Sequence, residues 1–378
     1  MRPPDVHIPF IDLKAQFAAL EPDIRAAMDR VLEHGSFIMG PEIGELEQRL
    51  SEYVGVKHTI SCSSGTDALL LPLMAWGIGP GDAVFTTPFT FIATAEVISV
   101  LGATPVFVDI ERRTFNLDPG ALEAAVHEVR TDGELRPAAV IAVDLFGLPA
   151  NYDAIASIAE RHAMKVIEDA AQSFGALYGN RRAGSFGDAA STSFFPAKPF
   201  GCYGDGGAVF TDSDELADIC RSIRVHGKGA DKYDNVRVGL NARLDTMQAA
   251  ILLAKLPAFT DEIERRQAAA ARYSEALADV LEVPFIPDGS TSAWAQYTVR
   301  TEHRDRLQGG LKEAGVPSVV YYPKPLHQQT AYAHLGYENG SMPISEAASQ
   351  AVLSLPMHPY LDQATQATIC DAVHKALR

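Results

Sequence analysis

Short apolar runs alternate with longer segments in which apolar residues recur every three or four positions over the first two thirds of the chain. The short runs predict buried strands, and the periodic segments predict helices that bury one face. The predicted strands cover residues 59–62, 83–87, 105–109, 138–144, 165–168, 191–195 and 208–211. Strands that alternate with helices in this way form a mainly parallel sheet with right-handed crossovers. We therefore predict an α/β fold built on a mainly parallel seven-stranded sheet.

Beyond residue 212 this regular alternation ends. The sequence predicts helices over 215–225, 246–256 and 258–280, a polar glycine-containing loop over 226–233, and strands over 295–300 and 318–322. This mixture is typical of a smaller α+β domain. We place the boundary near residue 255, which gives a large domain over 1–255 and a small C-terminal domain over 256–378. The large domain starts with a lead-in whose predicted helix, over 13–32, we expect to break at Pro22.

The charge balance restricts the possible partners of the protein. The 378 residues contain 32 Lys and Arg against 48 Asp and Glu, a formal net charge of −16. Nucleic-acid-binding proteins and proteins that dock on anionic membranes carry basic surfaces, so neither class is expected. An anionic small substrate would need a local group of cations.

The cysteines and the N-terminus predict neither a metalloprotein nor a secreted protein. The four cysteines are scattered without C-x-x-C spacing, which argues against a zinc site and against a disulfide framework. No apolar run approaches the length of a transmembrane helix, and the first residues lack the apolar core of a signal peptide. We therefore expect a cytoplasmic protein without a metal site.

One lysine lies in an apolar stretch. Lys198 follows the predicted strand 191–195 and precedes a glycine-rich turn over 201–207, with phenylalanines and prolines as neighbours. Burial disfavours the charged form of a lysine, and a neutral amine is a nucleophile that can form a Schiff base. The alternative is a solvated lysine, the ordinary state of this residue type.

A carboxylate follows the apolar residues of strand 165–168. Ligands of open α/β sheets bind beyond the carboxyl ends of the strands, which is where Asp169 is expected. Taken alone, Asp169 is better explained by a helix cap or a surface carboxylate. Together with Lys198, 29 residues later, it meets the needs of pyridoxal phosphate, which takes an Asp at its ring nitrogen and a Lys at its aldehyde.

A third stretch predicts an anion site. Ser63, Ser64, Gly65 and Thr66 form a turn that opens a predicted helix over 68–76. The free N–H groups and the helix dipole at such a start attract an anion, and a plain N-cap explains the same residues equally well.

Ordered motifs along nearly the whole chain resemble the DegT/StrS-type nucleotide-sugar aminotransferases. They include Ser64-Gly-Thr-Asp-Ala-Leu, Thr90-Phe-Ile-Ala-Thr-Ala, Glu168-Asp-Ala-Ala-Gln-Ser-Phe-Gly, Ser193-Phe-Phe-Pro-Ala-Lys-Pro, Gly204-Asp-Gly-Gly and Asn241-Ala-Arg-Leu-Asp. The resemblance implies a fold-type-I transferase similar to aspartate aminotransferase, pyridoxal 5'-phosphate as cofactor, and a homodimer with shared active sites. A branch of dehydratases has histidine where this chain has Lys198, so the resemblance implies transamination.

The resemblance also assigns roles to single residues. Lys198 matches the Schiff-base lysine, Asp169 the partner of the pyridine nitrogen, and Gln172 the partner of the ring hydroxyl. Further residues match those that contact the two faces of the ring and the phosphate, including one residue that reaches the phosphate from the neighbouring subunit. These are Phe91 and Ala171 for the ring faces, Gly65, Thr66 and Ser193 for the phosphate, and Asn241 from the neighbouring subunit.

Within the family, the chain most closely resembles aminotransferases that act on a UDP-linked 2-acetamido-2-deoxy-3-oxo-glucuronate in O-antigen synthesis, with glutamate as the usual donor. The support lies in residues 193–207 and 237–248. The two phosphates and the carboxylate of such a substrate must be met by local cations. The predicted substrate contacts are Arg243, Tyr321 and His327, and the further candidate cations are Lys228, Lys232 and Arg237. Many relatives have histidine where Tyr321 stands.

Two alternatives remain open. One is an enzyme of the same fold that aminates a dTDP-linked 3-oxo or 4-oxo-6-deoxy sugar or a cyclitol. The other is a regulatory protein that keeps the fold and the cofactor without turnover. The intact set of Lys198, Asp169 and Gln172 favours an enzyme.

Overall fold

The computed structural model describes residues 8–231 and 233–378. The helices are α1 (Leu13–His34), α2 (Pro41–Val54), α3 (Gly65–Ala75), α4 (Ala93–Val100), α5 (Pro119–Asp132), α6 (Tyr152–Arg161), α7 (Asp214–Ile223), α8 (Thr246–Leu277), α9 (Arg304–Glu313), α10 (Pro343–Ala351) and α11 (Gln363–Leu377). The strands are β1 (His58–Cys62), β2 (Asp82–Thr86), β3 (Thr104–Phe107), β4 (Arg136–Val143), β5 (Lys165–Asp169), β6 (Leu177–Tyr178), β7 (Arg181–Arg182), β8 (Ala189–Ser193), β9 (Gly207–Thr211), β10 (Tyr297–Arg300) and β11 (Val352–Leu355). Short 3₁₀ helices lie at Leu145–Gly147, Leu326–Gln328 and Thr330–Leu335.

Seven strands form the main sheet in the order β1-β9-β8-β5-β4-β2-β3. The pairs β2–β3, β2–β4, β4–β5 and β5–β8 are parallel, whereas β9 runs antiparallel to its neighbours β8 and β1. The predicted α/β fold with a mainly parallel sheet of seven strands is therefore confirmed.

Helices cover both faces of this sheet. Phe85 and Val140 pack in a cluster with side chains of α5 and α6, whereas their strand neighbours Val84 and Ile141 pack against α3 and α4. Successive residues of a strand point to opposite faces, so the central part of a strand that is covered on both sides is apolar at successive positions. This is why the strands read as continuous apolar runs in the sequence.

The C-terminal part of the chain forms a second, smaller core. β10 and β11 pair antiparallel, and apolar residues of α9 and α11 pack with them. α8 runs through residue 255 without a break, with Leu252 and Phe259 in the core of the main sheet and Tyr273 and Leu277 in the second core. One helix thus contributes to both cores, and the division of the chain near residue 255 stays a prediction.

The predicted strand over 318–322 does not form. Val319 makes a single bridge to Ser354, and the strand that pairs with β10 is β11. Pro317 and Pro323 flank the segment, and proline restricts the backbone and lacks the N–H group that a strand ladder needs.

Helices α1 and α8 continue through prolines at which the sequence predicted a break. α1 contains Pro22 and α8 contains Pro257, so the predicted break at Pro22 and the division of 246–280 into two helices are wrong. A proline inside a helix removes the hydrogen bond to the carbonyl four residues earlier. Both prolines are exposed, so water can satisfy that carbonyl and the helix is kept by packing on its other side.

A buried arginine fixes the end of β1. Arg224, which follows α7, is 4% exposed, and its Nη1 atom lies 2.5 Å from Glu47 Oε1 and 2.8 Å from the Ser61 carbonyl oxygen. Glu47 also accepts hydrogen bonds from the N–H and the hydroxyl of Ser61. Because a buried charge is tolerated only when it is paired and hydrogen-bonded, these contacts hold α2, α7 and β1 together. β1 leads directly into the turn before α3.

The four cysteines are buried free thiols. Over residues 8–231 and 233–378, no group of three or more His, Cys, Asp or Glu side chains is arranged to hold a metal ion. No helix in these ranges is both long enough and apolar enough to cross a membrane.

Candidate active site

Strand ends from distant parts of the sequence meet at one edge of the sheet. β5 ends beside β8, where Asp169 pairs with Ser191. Two residues further on, Ser193 pairs with Gly207 of β9, which also pairs with Cys62 at the end of β1. Ligands of open α/β sheets bind at this carboxyl edge.

Lys198 lies in the turn that leaves β8. It is half-buried, and its backbone N–H donates to the Phe195 carbonyl oxygen at 2.9 Å. Burial lowers the pKa of the Lys198 amine from its ordinary value, and the charge of Asp169 opposes that shift. The lowered pKa expected from the apolar stretch is therefore present, and a larger fraction of the amine is neutral.

Asp169 is buried and oriented by two hydrogen bonds. The residue is 6% exposed, its Oδ2 atom accepts from the Thr94 hydroxyl at 2.9 Å, and its Oδ1 atom accepts from the Ala171 N–H at 3.2 Å. Burial raises the pKa of the Asp169 carboxyl, whereas first the Thr94 bond and then the Lys198 charge lower it. The Thr94 hydroxyl is therefore the strongest support of the ionised form.

The start of α3 meets the end of β8. Ser64 caps the helix, because its Oγ atom accepts from the Asp67 N–H at 3.0 Å, so the predicted cap is present. The N–H groups of Gly65 and Thr66 precede the first intrahelical hydrogen bond and can face an anion. A Cβ atom added at Gly65 would lie 2.6 Å from the Cβ atom of Ser193, so this close approach requires glycine.

Aromatic and amide groups complete this edge. The Phe91 side chain, in the turn before α4, is 57% exposed, which leaves its ring open for stacking. Gln172 Oε1 accepts from the Phe146 N–H at 2.9 Å, and the Gln172 side chain lies beside the Tyr322 hydroxyl. Ala171 is half-buried beside Asp169.

This donor set fits pyridoxal phosphate. A helix start with free N–H groups suits the phosphate, and the close approach of Gly65 to Ser193 brings the Ser193 hydroxyl beside those groups. A buried carboxylate suits the ring nitrogen, and a lysine with a lowered pKa suits the aldehyde.

Asn241 and Arg243 lie on a segment that is bonded to the end of β1. The Ser63 N–H donates to the Ala242 carbonyl oxygen at 3.2 Å, and the Ala242 N–H donates to the Arg224 carbonyl oxygen at 3.0 Å. Asn241 and Arg243 both line one cleft of about 420 Å³, so their side chains share a face. The Nε atom of Arg243 is buried and has no hydrogen-bond partner within the described residues.

The two predicted contacts of the C-terminal part differ in their surroundings. Tyr321 is half-buried, and its ring centre lies 5.7 Å from that of Tyr322 and 6.4 Å from that of Phe10. His327 is 2% exposed, and its Nε2 atom lies 3.0 Å from Glu346 Oε1. His327 thus has an interior partner, and its role in substrate binding, like that of Tyr321, stays a prediction.

The loop after α7 carries the other candidate cations. Lys228 and Arg237 are exposed, and Lys232 lies outside the described residues. The exposed pair matches the solvated state that is ordinary for such side chains.

Sequence reasoning missed two residues of this edge, Thr94 and Tyr322. Thr94 lies 75 residues before Asp169, so nothing local in the sequence relates them. The signal was the motif Thr90-Phe-Ile-Ala-Thr-Ala, whose second threonine lies in the first turn of an apolar helix.

Two more carboxyl groups lie near Asp169 without facing the same side. Glu168 precedes Asp169 in β5 and therefore points to the opposite face, where two backbone N–H groups donate to it at 2.7 and 2.8 Å. Asp144 accepts from the hydroxyls of Tyr152 and Ser173, each at 2.6 Å. Burial raises the pKa of both carboxyl groups. Their hydrogen bonds fix the segments that flank Asp169.

Comparisons with known proteins agree with this geometry. The profile of the DegT/DnrJ/EryC1/StrS aminotransferase family matches residues 19–374. The chain is 52% identical over 367 residues to the UDP-2-acetamido-2-deoxy-3-oxo-D-glucuronate aminotransferase of Pseudomonas aeruginosa, which covers 97% of this chain and 99% of that protein.

Solved structures extend the similarity to the whole fold. A DegT/DnrJ/EryC1/StrS aminotransferase from Brucella abortus superposes with a TM-score of 0.96 at 53% identity, covering 98% of this chain and 100% of that one. A Bacillus subtilis protein with the bound cofactor PMP superposes with a TM-score of 0.87 at 30% identity, covering 97% of this chain and 83% of that one.

The contact between Thr94 and Asp169 generates the first prediction. Thr94→Val removes the hydroxyl at nearly constant volume, so the pKa of Asp169 should rise further and its carboxylate should be protonated at a higher pH. We expect the affinity of the cofactor-free protein for pyridoxal phosphate to fall about tenfold at neutral pH, the effect of losing one hydrogen bond to a charged group. The lower limit of the pH range for binding should move upward. Fluorescence titrations at a series of pH values measure both effects.

The control is Thr94→Ser, which keeps the hydroxyl and should bind the cofactor like the wild-type protein. Identical binding curves for Thr94→Val and wild type would show that Thr94 does not support Asp169.

Proposed function

The chain belongs to the DegT/DnrJ/EryC1/StrS aminotransferase family, and from that premise we propose that it aminates a keto group on a nucleotide-linked sugar. The proposed donor is glutamate. The proposed acceptor is the 3-oxo position of a UDP-linked 2-acetamido-2-deoxyglucuronate. The observation that carries this choice is the half-buried Arg243, which lines a cleft beside Asn241, together with the name of the relative that is 52% identical.

Lys198 and Asp169 would carry the proton chemistry. When bound, pyridoxal phosphate supplies an aldehyde for amine exchange and an electron sink. Lys198 Nζ, with its lowered pKa, would take the proton from the α-carbon of glutamate and act as general base and acid. Asp169 Oδ2, oriented by Thr94, would hold a proton at the ring nitrogen.

The remaining residues of the edge would hold the cofactor. Gly65 and Thr66 would bind the phosphate through the N–H groups of the first turn of α3, with the Ser193 hydroxyl beside them. Two side chains would pack on the ring faces and one would bond to the ring hydroxyl. These are Phe91 and Ala171 for the faces and Gln172 for the hydroxyl.

Arg243 would recognise the carboxylate of the sugar. Arg243 is half-buried and lines the cleft, where its guanidinium group can pair with a carboxylate that enters. Arginine can bind a carboxylate through two parallel hydrogen bonds, a geometry that lysine does not offer. An acidic protein would in this way supply a cation where the uronic acid needs it.

A second copy of the chain would complete each site. Asn241 is exposed, and the exposed apolar side chains of Phe37, Ile38 and Met39 lie in the segment whose Ile38 lines the same cleft. Exposed apolar groups in such a cluster are usually covered in an assembly. We therefore propose a homodimer in which Asn241 of one subunit reaches the phosphate in the site of the other.

The proposed setting is the cytoplasmic synthesis of a cell-surface polysaccharide such as an O-antigen. Its support is the composition of the chain, which has scattered free cysteines and a net charge of −16, and the sugar named for the relative. A neutral 3-oxo or 4-oxo sugar, or a cyclitol, would bring no carboxylate to pair with the guanidinium group of Arg243. A regulatory protein without turnover would not need the lowered pKa of Lys198.

A panel of acceptors tests the choice of substrate. With glutamate as donor, the wild-type protein should aminate a UDP-linked 3-oxo uronic acid faster than neutral UDP- or dTDP-linked 3-oxo and 4-oxo sugars. Arg243→Lys should lower kcat/KM for the uronic acid roughly 5- to 160-fold, the equivalent of about 1–3 kcal/mol, because a charge-assisted hydrogen bond is lost. Its affinity for pyridoxal phosphate should be unchanged.

The matched control is Arg265→Lys, which alters an exposed pair with Asp261 and should leave the rates unchanged. If a neutral 4-oxo sugar reacts fastest, the uronic acid proposal fails and the amination of another sugar remains. If no sugar reacts although the cofactor binds, the regulatory alternative is favoured.

Subunit mixing tests the shared site. Lys198→Ala and Asn241→Ala homodimers should each be inactive or weak. After subunit exchange, each hybrid would have one site with both defects and one site with none. We expect up to about one quarter of the wild-type rate, because half of the dimers are hybrids with one intact site of two.

Mixing each variant with wild-type subunits serves as the exchange control. Proven exchange without recovery of activity would mean that Asn241 serves the site of its own subunit.

A further inference from the structure

Lys255 is a buried cation in the apolar first half of α8. It is 3% exposed, its Nζ atom donates to the Gly201 carbonyl oxygen, and it lies 5.2 Å from the centre of the Tyr203 ring. Burial lowers the pKa of Lys255 to about 8, and the charge of Glu262 on the same helix opposes that shift. A buried ammonium group costs several kcal/mol unless its partners offset the cost, so this lysine needs a structural reason.

Its partner Gly201 belongs to the turn that carries Lys198. The Cys202 N–H donates to the Phe194 carbonyl oxygen at 2.7 Å, which folds the turn back onto the end of β8. A Cβ atom at Gly201 would lie 2.5 Å from the Phe195 carbonyl oxygen, so the backbone is packed closely there. The inner side of the turn is therefore fixed by its own backbone.

Side chains of α8 fix the outer side. Gln248 Oε1 accepts from the Tyr203 N–H at 2.9 Å, and Lys255 donates to the carbonyl of the buried Gly201. Residues seven apart lie on one face of a helix, so Gln248 and Lys255 contact the turn together. Without Lys255 the Gly201 carbonyl would lose its partner in a buried place.

We propose that Lys255 is a positioning residue, with Gln248 as its second contact. By holding the turn over 199–203, it fixes where Lys198 Nζ lies relative to Asp169. The proposal rests on the role given to Lys198 in the proposed function.

Lys255 acts through position and not through its charge. The pKa of Lys198 is lowered by burial and raised by Asp169, and both influences depend on where the amine lies. If the turn moves, the distance from the Lys198 amine to Asp169 changes, and so does the contact of the amine with solvent. The hydrogen-bond donor at position 255 is therefore the critical feature, and a side chain with a neutral donor should fulfil the same role.

The experiment compares Lys255→Met, Lys255→Gln and Gln248→Leu with the wild-type holoenzyme, and Lys312→Met on the exposed face of α9 serves as the matched control. Three properties are measured: the pH midpoint of the visible absorbance of bound pyridoxal phosphate, the single-turnover rate with saturating glutamate, and the Tm. For Lys255→Met we expect a shifted midpoint and a rate lower by about 10- to 100-fold, the loss typical of a misplaced catalytic group. The glutamate concentration that gives half the maximal rate should change little.

Lys255→Gln keeps an N–H donor and should restore most of the rate and of the midpoint, and Lys312→Met should match the wild type. A folded Lys255→Met protein with the wild-type midpoint and rate would overturn the proposal, as would a Lys255→Gln variant as defective as Lys255→Met. If Lys255→Met does not fold, Gln248→Leu decides in the same way. None of these measurements uses an acceptor sugar, so failure of the wild type to aminate any sugar would refute the proposed function alone.

Discussion

The site depends on the removal of two oppositely charged groups from water at one edge of the sheet. Burial lowers the pKa of Lys198 and raises that of Asp169, and the charge of each group opposes the shift of the other. An uncompensated charge in the interior costs several kcal/mol, so neither group is stable there without its surroundings. The hydroxyl of Thr94 stabilises the carboxylate of Asp169 by a hydrogen bond, and the turn that Lys255 contacts fixes the position of Lys198. The reactivity of the lysine and the stability of this edge therefore have the same origin.

The sheet order makes this edge possible, and close backbone contacts complete it. β8 lies between β5 and β9, so the residues that follow Asp169 and those that follow Ser193 leave the sheet side by side. Gly65 lies against Ser193, and a Cβ atom at Gly207 would lie 2.3 Å from the Ser64 carbonyl oxygen. A side chain at either glycine would push the start of α3 away from the sheet, and the N–H groups that suit a phosphate would move with it.

The sequence predicted the strands well because their burial on both faces leaves a local signature of continuous apolar runs. It also predicted that Asp169 and Lys198 lie at the sheet edge, because Asp169 follows an apolar run directly and Lys198 lies in the turn that comes after another. It failed at Pro22 and Pro257, since packing on the buried side of a helix outweighs one lost hydrogen bond on the exposed side. It could not relate Thr94 to Asp169, because that contact exists only in the folded chain. The sequence shows that Lys255 lies within a predicted apolar helix, but it does not show that the carbonyl of Gly201 is its partner.

Two buried lysines with lowered pKa values, Lys198 and Lys255, lie within this part of the fold, and the account gives them different roles. Borohydride reduction of the protein loaded with pyridoxal phosphate attaches the cofactor permanently to the amine that it has bonded. Digestion and mass analysis then identify the labelled lysine. The account predicts a pyridoxyl group on the peptide that contains Lys198 and none on the peptide that contains Lys255. A label on Lys255, or a label spread over surface lysines with Lys198 unmodified, would contradict it.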